Sequence, residues 1–396
     1  MTQHYLSPIR AFQNKISYRL SGMAHMPARG KQRGTVLLSY ITGPFTRLPY
    51  EHFTDPHTNY WECYEIVRLL NERGYSVDII DTEGLVPIPR KSYAAYIDAG
   101  TRFDTRKTSL PVSCPVVAHL TTAAPDFQNA AECRRLAALW ARRGAVLSSQ
   151  RHIEHMPDYS QADLLEGFGN ETIRSTYARF GKPITYIPLS VSEEFSFPKE
   201  KNFSKASREF LWFGGGGAIL KGLDLVVEAF SAMPEYSLHI VGPIVYESEF
   251  TACYAKELAM PNITLYPRPK MNVEGHILVE GVPIDVLFDK CIATVYASAS
   301  DAASGSVLQA AHRGVLPCVT PESGITPSIG GFSLPTDPSV EDIRAAVRAI
   351  ASTDPVLLAA QAQHVWGYVR SNHTPKSFSV AYARFLDTEL LPLMSP

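Results

Sequence analysis

Only six cysteines occur in the 396 residues, Cys63, Cys114, Cys133, Cys253, Cys291 and Cys318, and no two of them form a Cys-x-x-Cys pair. That scatter excludes a zinc ribbon and a disulfide-built secreted domain, and it suits a reducing compartment. Also missing is any uninterrupted apolar run near the ~18–20 residues that span a bilayer, so membrane contact is expected to be peripheral at most. The stretch 1–33 lacks the apolar core of a secretory signal, which points to a cytoplasmic chain. A formal charge of -2 calls for no polybasic surface, and nucleic acid is not expected as a partner. No Asp-x-Asp and no His, Cys or carboxylate cluster with ligand spacing is present, so neither a metal nor another cofactor is expected. Residues 1–34 read as an N-terminal arm whose Arg10, Lys15, Arg19, Arg29, Lys31 and Arg33 are either solvated or touch anionic lipid or a partner at the inner face of the membrane.

What is present is length and alternation. A chain of this size exceeds the roughly 250–300 residues at which single cores stop growing, so two domains are expected. From Thr35 onward, short β-rich runs alternate with amphipathic helical patterns, the mark of parallel βαβ units. Strands are predicted at 35–40, 77–81, 95–98 and 116–120, with further short ones near Ala145, Asp163 and Ile184. Helices are predicted over 59–73 and 130–143. Between 188 and 208 the periodicity lapses into Ser, Glu, Lys and Pro. The pattern then restarts, with strands at 209–213, 237–241, 263–266, 292–296 and 316–320. The resulting division is a Rossmann-like domain over 35–190, a linker over 191–208, a second Rossmann-like domain over 209–372, and a C-terminal helix within 373–396 that packs back on the first domain.

Two segments of the second half carry chemistry. The first runs Phe210-Leu211-Trp212-Phe213-Gly214-Gly215-Gly216-Gly217-Ala218-Ile219-Leu220-Lys221-Gly222. A strand leading through glycines to a helix N-terminus exposes backbone N–H groups, the dipole favours an anion, and Lys221 adds a mobile positive charge. Together they suit a diphosphate. The spacing is neither Gly-x-Gly-x-x-Gly nor a P-loop, and the bland alternative is a glycine-rich turn with a solvated lysine. The second runs Tyr296-Ala297-Ser298-Ala299-Ser300-Asp301-Ala302-Ala303-Ser304-Gly305-Ser306-Val307-Leu308-Gln309. It lies where a strand ends and a helix begins, the place at which open α/β sheets bind ligands. Asp301 and Gln309 would there reach sugar hydroxyls. Here the bland alternative is that Ser304 or Asp301 caps the helix.

In this order and spacing the two segments resemble the nucleotide-sugar site of glycosyltransferase family 4, whose members are retaining enzymes of the GT-B architecture. The resemblance covers most of the second half, including Pro321-Glu322-Ser323-Gly324, and recurs more weakly at His57-Thr58-Asn59-Tyr60-Trp61-Glu62 and Asn129-Ala130-Ala131-Glu132. It implies a donor site of Gly214, Gly215, Gly216, Gly217, Lys221, Ser304, Gly305, Ser306 and Gln309. Lys221 matches the family's pyrophosphate lysine, Asp301 the first glutamate of its pair, near the sugar, and Gln309 the second, near the ribose. Family members also carry an arginine in the phosphate loop, where this chain has Gly216. For the acceptor, His57, Asn59 and Trp61 stand where the loop after the first strand meets the cleft, and Thr122 and Asp126 follow the strand 116–120 at its carboxyl end. His119 and Asp301 are the catalytic candidates. The implied reaction moves a sugar with retention from a UDP- or GDP-type donor to a hydroxyl of a glycan or lipid-linked acceptor. A GT-B phosphorylase or epimerase, and a nucleotide-sugar-binding subunit that has lost catalysis, are the alternatives.

Overall fold

Strands of mostly apolar residues on both faces need cover from both sides, and the chain supplies it with helices placed between successive parallel strands. The computed structural model describes residues 7–47, 57–83, 86–272 and 274–394. Residues 1–6 of the predicted arm, and part of the loop after the first predicted strand, lie outside them.

The first sheet contains β1 (Met23–Met26), β2 (Gly34–Tyr40), β3 (Tyr75–Asp81), β4 (Ala95–Asp98), β5 (Val116–Leu120), β6 (Leu164–Gly167) and β7 (Ile184–Tyr186). Its order is β1-β3-β2-β4-β5-β6-β7. All neighbours are parallel except β1, which runs antiparallel along β3 with Met23 opposite Ile80. The predicted N-terminal arm is therefore corrected. Residues 8–26 form a helix, Pro8–Ser21, and an edge strand, tied down by the Tyr18 hydroxyl donating to Asp81 at 2.7 Å.

A second sheet begins with β8 (Glu209–Phe213), β9 (Ser237–Val241) and β10 (Ile263–Tyr266). A small antiparallel sheet of β11 (Lys270–Met271), β12 (Ile277–Val279) and β13 (Val282–Pro283) follows, with no counterpart in the predicted pattern. The main sheet resumes with β14 (Ala293–Tyr296), β15 (Leu316–Val319) and β16 (Phe332–Ser333), giving the order β10-β9-β8-β14-β15-β16, parallel throughout.

No strand forms at Ala145. The backbone N–H groups of Ser148, Gln150 and Arg151 donate to the carboxylates of Glu249 and Glu132 rather than to a strand neighbour. The C-terminal helix, Pro375–Phe385, does pack back on the first half. Arg73 grips Asp387 with two hydrogen bonds of 2.6 and 2.7 Å, Ser379 donates to Glu65, and Phe378 meets Trp61 edge-on at 5.5 Å. Two Rossmann-like units and a returning helix are the GT-B architecture. No helix among the described residues is long and apolar enough to cross a membrane.

Candidate functional site

The glycine run leaves the carboxyl end of β8 and occupies Gly214–Gly217, but its N–H groups differ in what they hold. Gly214 N–H donates to Val241 O at 3.1 Å, within the frame of the sheet. Gly217 and Ala218 donate to the two oxygens of Glu247, at 2.7 and 3.0 Å. An internal carboxylate thus sits on part of the loop expected to hold an anion, which shows that these N–H groups do favour negative charge. Gly215 faces open space and lies outside the positive-φ region. It is therefore not the conformationally demanding glycine. That role falls to Gly217, at φ +93°, and to Gly222, at φ +70°, where an added Cβ would lie 2.3 Å from Ala297 O.

From Gly217 the chain makes one α-turn, Lys221 N–H donating to Gly217 O at 2.9 Å, before the helix Leu223–Ser231 starts. That turn carries Lys221 inward, where its Nζ lies 2.7 Å from Asp301 Oδ2 and 3.1 Å from Ser300 O. The two sequence segments are brought together by this pair. Burial pushes the Lys221 ammonium down from its ordinary value, Asp301 pulls it up, and Arg151 pushes it down again, leaving a net lowering. Asp301 also accepts from Tyr296 Oη at 3.0 Å and from the N–H of Ala302. It stands outside the Gly305–Ala311 helix and does not cap it; the N-cap position belongs to Ser304. Ser304 and Ser306 join by their hydroxyls at 3.2 Å, and Ser306 donates to Phe213 O, tying the second segment to the end of β8.

Arg151 is the site residue that sequence reasoning missed. It belongs to the first half, in the irregular stretch before β6, yet it reaches the glycine loop: a Cβ on Gly217 would meet its Cγ at 2.5 Å. Its charge is felt by both Lys221 and Tyr296. Its backbone is clamped from the helix Pro125–Arg143, with Glu132 Oε1 accepting its N–H at 2.9 Å and Gln128 Nε2 donating to its carbonyl at 2.7 Å. Asn129 fixes Ile153 in the same way, bonding both its N–H and its C=O. Gln128 and Glu132, four residues apart on one helix face, were the available signal. The glycine loop thus has an arginine beside it at Gly217, supplied from the first half.

Several predicted residues stand elsewhere. Gln309 is buried, its Oε1 accepting from the N–H groups of Ser192 and Glu193 at 2.9 and 3.1 Å and its Nε2 donating to Glu193 O. It fastens the linker instead of facing a ribose. Trp61 lies in the seam with Phe378, not in the cleft. His119 is 2% exposed, ringed by Tyr40, Phe168 and Tyr382, with Nδ1 2.7 Å from Glu166 Oε1. Burial lowers its imidazole, but Glu166, aided by Glu62, more than offsets this and the net direction is upward. A side chain so enclosed touches no transferred sugar; it belongs to the polar seam beneath the returning helix. His57 caps the helix Thr58–Glu72 by accepting the N–H of Asn59, whose Oδ1 is buried without a partner among the described residues. Thr122 donates to Ala123 O past the carboxyl end of β5, and Asp126 pairs with Arg179. Among the described residues no three His, Cys, Asp or Glu side chains are grouped so as to hold a metal ion.

No family model matches the sequence, and no curated protein matches it. Solved structures match the fold. Sucrose-phosphate synthase from Thermosynechococcus elongatus aligns over 91% of this chain and 100% of its own at 12% identity, with a TM-score of 0.62. HepE from Anabaena, solved with UDP and glucose, aligns over 90% and 100% at 10% identity and a TM-score of 0.56. A variant of S. aureus TarM, solved with Fondaparinux, alpha-GlcNAc-glycerol and UDP, aligns over 76% of this chain at 10% identity and a TM-score of 0.51, and the chain spans 55% of the TarM length. At these identities the likeness is one of architecture, and it places the chain in the GT-B fold class.

Proposed function

We propose that this chain is a glycosyltransferase that takes a sugar from a nucleotide donor and passes it to a glycan or lipid-linked hydroxyl, with retention at the anomeric carbon. The observation that carries this reading is the convergence of Lys221, Asp301 and Arg151 on one glycine loop. UDP bound in HepE and TarM, two proteins of the same fold, supports a UDP donor, with GDP as the other candidate. As the bond between sugar and diphosphate breaks, negative charge grows on the leaving phosphate. Lys221, Arg151 and the N–H groups of Gly215 and Gly216 are the fixed positive partners for that charge. Asp301, beside the lysine, faces the sugar. Ser304, Gly305 and Ser306, tied to the end of β8 beside the glycine loop, complete the donor side, and the acceptor lies against His57, Asn59, Thr122 and Asp126. This scheme uses no metal or other cofactor.

A second reading, a nucleotide-sugar-binding subunit without turnover, is favoured by one observation: the Gln309 amide is committed to the linker. A thermal-shift screen with UDP, GDP and their sugar conjugates, followed by assay for donor consumption, separates the two. A true ligand at about 100 times its Kd adds about 2.7 kcal/mol of stability. Stabilisation with donor consumption supports the transferase, and stabilisation without consumption supports the binding subunit. No stabilisation by any nucleoside diphosphate rejects both.

A further inference from the structure

The helix Pro8–Ser21 is anchored by one face and bare on the other. Its inner face is Ala11, Asn14 and Tyr18: Ala11 and Asn14 are buried, Asn14 Oδ1 accepts the N–H of His25, and Tyr18 donates to Asp81. Its ends are fixed as well, by Ser7 accepting the N–H of Arg10 and by Gly22 in the left-handed region donating to Tyr18 O. Directly opposite, Ile9, Phe12, Ile16 and Leu20 are 72, 57, 45 and 84% exposed. At 3.6 residues per turn these four side chains fall within an arc of roughly 80°. Scattered exposed apolar residues need no explanation, but four aligned on an anchored helix form a continuous stripe.

Charge decides what covers it. The same turn angle places Lys15 and Arg19 on one flank of the stripe and Arg10 on the other, and the helix contains no Asp or Glu. A second copy laid on this face would bring Arg10 and Arg19 against their own counterparts, with no carboxylate from the helix to receive them. An anionic bilayer fits both features, since apolar side chains enter the acyl boundary while flanking cations stay among the head groups. We propose that this helix is an in-plane anchor that docks the protein on a membrane surface bearing anionic lipid. The inference does not rest on the glycosyltransferase reading and survives or fails without it.

The test is co-sedimentation of the full chain with vesicles of phosphatidylcholine alone and of phosphatidylcholine mixed with phosphatidylglycerol. The wild type is expected to pellet with the mixed vesicles, less with the neutral ones, and to be released by salt. The double variant Phe12→Ser/Leu20→Ser is expected to lose at least about tenfold in partitioning, because two exposed side chains no longer enter the lipid. Arg10→Gln/Arg19→Gln is expected to lose the preference for phosphatidylglycerol. Phe12, Arg19 and Leu20 are exposed and Arg10 is half-buried, so an unchanged melting temperature is expected and shows the variants folded. Wild type that stays in the supernatant, or binding untouched by Phe12→Ser/Leu20→Ser, overturns the proposal. So does a dimer in light scattering that the same double variant dissociates while vesicles are ignored, which would assign the stripe to a second copy.

Discussion

Glu62 allows the buried seam to be tested by pH. Its carboxyl is 1% exposed, holds the N–H and hydroxyl of Ser190 at 3.3 and 3.1 Å, and lies near His119. Burial pushes it up from its ordinary 4.5 to about 7, against the lowering influence of His119 and Ser190. Because the folded-state value is raised, its contribution to stability is fully present below 4.5 and is lost as pH rises through 7. That displacement corresponds to about 3 kcal/mol, most of it lost between about pH 5 and about pH 8. Glu62→Gln keeps an oxygen for Ser190 and cannot ionise. Urea unfolding of both proteins at the two pH values is the assay, and the difference between them cancels the titrating groups that do not interact with Glu62, leaving Glu62 together with its coupling to His119. The wild type should lose roughly 2–3 kcal/mol more than the variant over that interval. Parallel curves would refute the reasoning, since they would mean that Glu62 ionises at no cost and is not enclosed as described.

Other substitutions address the glycine loop and its charges. Gly222→Ala is expected to destabilise by roughly 2 kcal/mol or more, from positive φ and a Cβ against immovable backbone, whereas Gly215→Ala is neutral in thermal melts; equal melting temperatures would contradict this. Lys221→Ala should weaken nucleoside diphosphate binding by about 1–3 kcal/mol, the range of a charge-assisted hydrogen bond. Asp301→Asn should spare that affinity and lower kcat/KM for the donor; wild-type transfer would reduce Asp301 to a counter-ion for Lys221. Glu247→Ala removes the carboxylate from Gly217 and Ala218 and is expected to tighten nucleoside diphosphate binding in calorimetry, and weaker binding would show that Glu247 supports the loop instead.

Regular parts of the fold were legible because burial and period coincide there. β4, β5, β8, β9 and β10 match their predicted bounds, since each is a short apolar run closed by turn residues. β1 was hidden because a four-residue edge strand is specified by its partner β3, not by its own pattern. The run after Gly144 looks like a strand, but its N–H groups are claimed by Glu132 and Glu249, a choice made by distant side chains. The same distance effect concealed Arg151, which no local motif marks, and misassigned Trp61, whose partner Phe378 lies at the far end of the chain. Lys221 and Asp301 were legible as candidates because spacing within one domain fixed which loops they stand on. Gln309 was placed on the right helix but on the wrong partner, because periodicity cannot tell a cleft from a buried linker.

The most direct measurement is calorimetric titration of UDP and GDP into the wild type, Lys221→Ala, Arg151→Ala and the double variant. If the two halves jointly build the diphosphate site, the wild type binds one of the two nucleotides. Each single variant then weakens it by about 1–3 kcal/mol, and the double variant departs from additivity because both charges meet the same group. Failure of the wild type to bind either nucleotide, or retention of full affinity by both single variants, would contradict the account.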